Sequence, residues 1–124
     1  MSKLVSEMDF GEFFDTVMEF DPKIRLVATY DGRFRAKLRV GLKRNFEDEE
    51  IKSSMVEAQN RWTFRKKMSF KIGEPKFAMA QYGKVNRITI PLNDNGVILL
   101  TTELDVDINK LTDKVIETRI KFLD

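Results

Sequence analysis

The chain has 124 residues, with 22 lysines and arginines against 20 aspartates and glutamates, and contains neither cysteine nor histidine. That length is enough for a core without covalent staples, and the missing residue types exclude disulfides, thiolate metal sites, cysteine nucleophiles and imidazole acid–base chemistry. Apolar runs as short as Val97-Ile98-Leu99-Leu100 cannot span a bilayer. The acidic N-terminal stretch lacks the basic start and apolar middle of a secretory signal, so a cytoplasmic location with no membrane contact is expected.

In chain order, Met8 to Phe20 places Phe10, Phe13, Phe14, Val17, Met18 and Phe20 at helical spacing, with Glu12, Asp15 and Glu19 between them. Asp21-Pro22 ends this helix, because proline pushes the preceding residue out of the helical region. Ile24 to Tyr30 and Arg33 to Val40 read as two strands joined through Asp31-Gly32. A two-residue turn would mix the cations with Ile24, Leu26 and Ala28. A three-residue loop of Tyr30-Asp31-Gly32 opposes Thr29 to Arg33 instead, putting Phe34, Ala36 and Leu38 on the apolar face and the cations on the other.

Asn45 followed by Glu47, Asp48, Glu49 and Glu50 is a helix-start signal, so a long helix is expected from about Phe46 to Lys67. Its stripe of Ile51, Met55, Ala58 and Trp62 faces a core, and Met68 to Pro75 reads as a connection. Lys76 to Tyr82, Val85 to Leu92 and Val97 to Leu104 are three further strands, separated by Gly83 and by Asn93-Asp94-Asn95-Gly96. The third does not alternate, so it is expected at the centre of the sheet, covered on both sides. Asp107 caps a last helix whose apolar side holds Ile108, Leu111, Val115, Ile116, Ile120 and Leu123. No linker, low-complexity tract or repeat divides residues 1–124, which read as a single domain. The expected class is α+β, in the order α-β-β-α-β-β-β-α, with helices on the faces of a five-stranded antiparallel sheet.

That order resembles the roadblock and dynein light chain superfamily, which is similar to the longin and profilin-like folds. The phrases Asp21-Pro22-Lys23-Ile24-Arg25, Lys71-Ile72-Gly73, Ala78-Met79-Ala80, Arg87-Ile88-Thr89-Ile90-Pro91-Leu92 and Thr102-Glu103-Leu104-Asp105 look like an uncharacterised family of small archaeal proteins. The roadblock resemblance implies a homodimer built through the middle helix and neighbouring strand, serving as a platform for small GTPases or larger scaffolds. On this chain the equivalent segments are about Phe46 to Lys67 and Lys76 to Tyr82, with Met55, Trp62, Phe77, Met79 and Tyr82 as candidate interface residues. Core packing accounts for the same residues equally well.

The net charge of +2 conceals a segregation, since residues 33–87 carry 15 cations against 6 anions and the flanks 7 against 14. Arg33, Arg35, Lys37 and Arg39 repeat at every second position of one strand, with Arg25, Lys43 and Arg44 as candidate neighbours. Such a basic face could dock an acidic protein or neutralise nucleic-acid phosphates, or it could simply defend a sheet edge against aggregation. Arg61, Arg65, Lys66 and Lys67 accompany Trp62 and Phe64 at the end of the middle helix, where cations also suit the helix dipole. Glu103, Asp105 and Asp107 alternate at a strand-to-helix passage; they could gather a hard cation, or serve as a cap and its dipole partners. No glycine-rich phosphate loop, nucleophile elbow or metal signature is present, and no cofactor is implied. The expectation is a non-catalytic, homodimerising regulatory or protein-interaction module. The alternatives are a nucleic-acid binder using the basic strand and a small-molecule sensor with a pocket between sheet and helix.

Overall fold

The computed structural model describes residues 5–93 and 95–124. Its helices are α1 (Glu7–Glu19), α2 (Asp48–Lys66), α3 (Ser69–Ile72) and α4 (Ile108–Leu123); its strands are β1 (Ile24–Tyr30), β2 (Phe34–Leu38), β3 (Ala78–Gln81), β4 (Asn86–Pro91) and β5 (Val97–Thr102). The strands form one antiparallel sheet in the order β2-β1-β5-β4-β3. The expected element order holds, with the short α3 added where only a connection was read.

Helix α1 begins at a capping box. The Asp9 amide donates to Ser6 Oγ at 3.2 Å and the Ser6 amide donates to Asp9 Oδ2 at 2.8 Å. Its aromatic stripe of Phe10, Phe13 and Phe14, with Val17 and Met18, is buried beneath the sheet together with Leu111 and Val115 of α4. Helix α2 starts later than read, at a box in which the Glu47 amide donates to Glu50 Oε1 at 3.1 Å, so Asn45 is not the cap. Ile51, Met55 and Trp62 of α2 pack on the opposite face against Leu26, Ala28, Val97 and Leu99. Strand β5 divides its residues accordingly, with Ile98 and Leu100 toward α1 and α4 and Val97 and Leu99 toward α2. It is the double-sided central strand that its unbroken apolar run indicated.

The hairpin keeps the expected faces but not the expected loop. Tyr30 pairs with Phe34 and Thr29 with Arg35, so the loop is Asp31-Gly32-Arg33, displaced by one residue along the chain. Both loops contain an odd number of residues, which preserves the parity that sorts side chains between faces. Gly32 sits at its centre with φ +104°, a conformation that L side chains rarely adopt. Gly96 is required for space instead, because a Cβ there would stand 3.0 Å from the Tyr30 carbonyl oxygen. Asp94, within the same expected turn, lies outside the described residues.

On α4 the apolar stripe is narrower than read. Ile120 is 53% exposed, while Thr112 and Thr118 are buried. Their hydroxyls donate to the helix's own carbonyls, at 3.0 Å to Asn109 O and 2.7 Å to Lys114 O, which makes burial tolerable. Asn86, wholly buried at the start of β4, donates to the Glu103 and Leu104 carbonyls, both at 3.2 Å, and so pins the chain leaving β5. Among the described residues no helix is long and apolar enough to cross a membrane.

Candidate functional site

The sheet separates the cations that the sequence reading grouped into one face. Arg33, Arg35, Lys37 and Arg39 turn toward α1. Arg25, Lys43 and Arg44 line a groove on the α2 side. For Arg25 the division coincides with a bulge in β1 between Ile24 and Leu26, where the register against β5 shifts, whereas Lys43 and Arg44 belong to the segment joining β2 to α2.

Each strand cation on the α1 side has a partner within the chain. Arg35 Nε donates to Glu7 Oε1 at 2.9 Å, Arg35 Nη1 reaches Asp31 Oδ1 at 3.3 Å, and the guanidinium lies 3.9 Å above the Phe10 ring. Arg33 joins the same Glu7 carboxylate at 3.2 Å, and Lys37 pairs with Asp15. Arg39 donates from Nε to Ile24 O at 2.7 Å, and from Nη2 to Met18 O at 2.8 Å and Asp21 O at 2.9 Å. The row therefore clamps the acidic side of α1 to β2, a use of charge that alternation alone does not distinguish from a docking surface.

Burial works against the charge of Arg35, but the hydrogen bonds and charges of Glu7 and Asp31 outweigh it and raise its pKa. The Arg35 hydrogen bond also holds the Glu7 carboxyl below its ordinary value, against a smaller opposing effect of desolvation. A group whose pKa is depressed by folding contributes stability above the ordinary carboxylate range and loses it as pH falls through the lowered value. A carbon-detected NMR titration should therefore place the Glu7 midpoint below that of an unperturbed glutamate, and Arg35→Gln should move it upward. The same midpoint in both proteins would refute the link.

The carboxylates Glu103, Asp105 and Asp107 do not converge. Glu103 lies 3.9 Å from Arg25, Asp105 pairs with Lys23 at 3.2 Å, and Asp107 Oδ1 accepts the Lys110 amide at 3.1 Å as the cap of α4.

The opposite edge of the sheet differs in kind. β3 is paired with β4 on one side only, and its sequence Ala78-Met79-Ala80-Gln81 carries no charge. Met79 is 44% and Tyr82 56% exposed. Phe77 is half-buried against the α1 and α4 core, whereas Met55 and Trp62 are buried inside the monomer. Those last two seat α2 on the sheet and offer no surface to a partner, which corrects their place among the interface candidates. Phe64, expected with Trp62 in the basic patch at the end of α2, is exposed while Trp62 is buried, and Phe70 and Ile72 on α3, which follows α2 in the chain, are exposed as well. For Phe64 the signal was available, since it falls outside the stripe set by Ile51, Met55, Ala58 and Trp62.

No family model and no curated protein sequence matches the chain. Solved structures do. The gliding protein MglB from Thermus thermophilus superposes with a TM-score of 0.71 at 10% identity, covering 98% of this chain and 96% of that one. A roadblock/LC7 domain from Streptomyces avermitilis gives 0.64 at 10% identity, covering 94% of each chain. The fold is that of roadblock/LC7 domains. An MglB with a tetrameric arrangement shares it at a TM-score of 0.60 and 8% identity, over 99% of both chains. With that fold, the roadblock/LC7 sheet here ends in two unlike edges, β2 clamped by ion pairs to α1 and β3 open.

Proposed function

We propose that the chain is a non-catalytic module that pairs with a second copy of itself through the β3 edge and presents the joined surface to other proteins. The observation that carries this reading is the uncharged, half-paired β3, with Met79 on the strand and Tyr82 just past its end both exposed. Edge strands that must stay single are blunted by charge, as β2 is by Arg35 and Lys37, and β3 has no such protection. Aromatic residues and methionine are also the types enriched where protein surfaces meet. A two-fold axis beside β3 would continue the sheet from one copy into the next.

In the same reading residues 1–124 are one cytoplasmic domain, as in the archaeal family its phrases resemble, and its partner is an acidic protein or a small GTPase. The nucleic-acid alternative, and equally an acidic partner docked on the Arg33 to Arg39 row itself, draw less support, because Arg35, Lys37 and Arg39 are engaged by α1. Sedimentation velocity at tens of micromolar is expected to give a species near twice the 14.5 kDa chain mass. A 14.5 kDa species throughout that range would defeat the pairing.

A further inference from the structure

On the α2 side of the sheet a groove with a volume of about 780 Å³ opens between the N-terminal half of α2, the segment joining β2 to α2, and the β3 to β4 turn. That volume lies within the range of sites for small organic molecules. Its apolar residues include Leu26, Leu38 and Leu99 from the sheet, Ile51 from α2 and Val85 just before β4. Phe46, which also lines it, is 59% exposed, a large aromatic with one side uncovered.

The charges around this apolar floor are unbalanced. Five cations line the groove, Arg25, Lys43, Arg44, Lys84 and Arg87, against the single carboxylate of Glu50. Arg44 is paired with Asp48, and Arg25 has Glu103 at 3.9 Å. Arg87 is different. It is partly buried in the sheet, and its Nη2 donates to the neutral Ser54 hydroxyl at 2.7 Å, with no carboxylate at ion-pair distance among the described residues. Ser54 Oγ in turn donates to Ile51 O at 2.8 Å, so the serine holds the guanidinium in place without neutralising it. Burial, joined by the like charge of Arg61 and opposed by Tyr82, lowers the pKa of Arg87 from its ordinary value. A half-desolvated, oriented cation of this kind is stabilised by an incoming anion and supplies a planar fork for its oxygens.

We infer that this groove binds a small amphiphilic organic anion, its carboxylate, phosphate or sulfonate on Arg87 and Lys84 and its apolar body on Leu26, Leu99 and Phe46. The inference goes beyond the pairing reading, because every residue it uses belongs to one chain. An acidic amphipathic peptide is the competing occupant, but a groove of about 780 Å³ is of the size that takes one small organic molecule.

The probe is anilinonaphthalene sulfonate, with the uncharged N-phenylnaphthylamine as its comparison, titrated by fluorescence and calorimetry. The sulfonate should bind at one site per chain and lose roughly tenfold in affinity in Arg87→Met. The double variant Lys43→Gln with Lys84→Gln, at exposed positions where folding is not at stake, should weaken it in the same direction. Dodecyl phosphate should displace it. Equal affinity for the sulfonate in both variants, or tighter binding of the uncharged probe, would overturn the proposal, as would displacement by an acidic amphipathic peptide but not by dodecyl phosphate. Sedimentation of the same samples keeps the two readings apart. A monomer with charge-dependent binding removes only the pairing, and a dimer indifferent to the variants removes only the groove.

Discussion

Arg39→Met is expected to destabilise the protein by about 2–4 kcal/mol, measured by urea denaturation. The reason lies in the end of α1. The last carbonyls of a helix have no partners within it and carry the negative end of its dipole, and α1 has no basic residue in its last turn. Arg39 supplies the missing charge from another element, through its bonds to Met18 O, Asp21 O and Ile24 O. One planar fork thus ties the helix end, the Asp21-Pro22 corner and the start of β1 together. Arg39→Lys keeps the charge but not the fork, so it should fall between wild type and Arg39→Met. A loss below about 0.5 kcal/mol for Arg39→Met would show that water replaces the guanidinium at little cost.

Met79→Lys is expected to weaken pairing by roughly 100-fold or more while leaving the fold of each chain intact. In an isologous contact one substitution enters twice, and across β3 the two ammonium groups would be desolvated close to one another. Met79 is already 44% exposed in the single chain, so its replacement leaves no core cavity. Val40→Lys, at a 92% exposed turn position just past β2, the edge strand opposite β3, is the matched control and should leave the sedimentation profile unchanged. A Met79→Lys protein that sediments like wild type would show that β3 is not the contact.

Much of the architecture was legible because single-residue periodicities carry it. The aromatic stripe of α1, the stripe from Ile51 to Trp62 and the unbroken Val97 to Leu100 each have one economical placement. The hairpin faces were legible for the same reason, although the loop slipped by a residue. Turn chemistry at Asp31-Gly32 fits either side of the glycine, while the parity of side chains is insensitive to the choice. Ile120 was misassigned because a hydrophobic residue near the margin of a stripe can fall to either side, and Thr118 satisfied its hydroxyl on Lys114 O and went inward instead. The candidate sites were less legible. Whether Arg35 meets solvent or Glu7 depends on how α1 lies across the sheet, and whether Arg25 joins that row depends on a bulge that no local pattern announces. Exposure of Phe64 followed from the stripe, but that of Phe70, on the short α3 where only a connection is expected, did not.

The two unlike rims of the sheet limit how far association can go. If copies join at β3, each contributes its one unguarded margin to the junction and turns outward only the β2 side, where arginines and a lysine are tethered to helix α1. Growth then halts after a single addition, so the polypeptide can be sticky toward itself without being a seed for fibres.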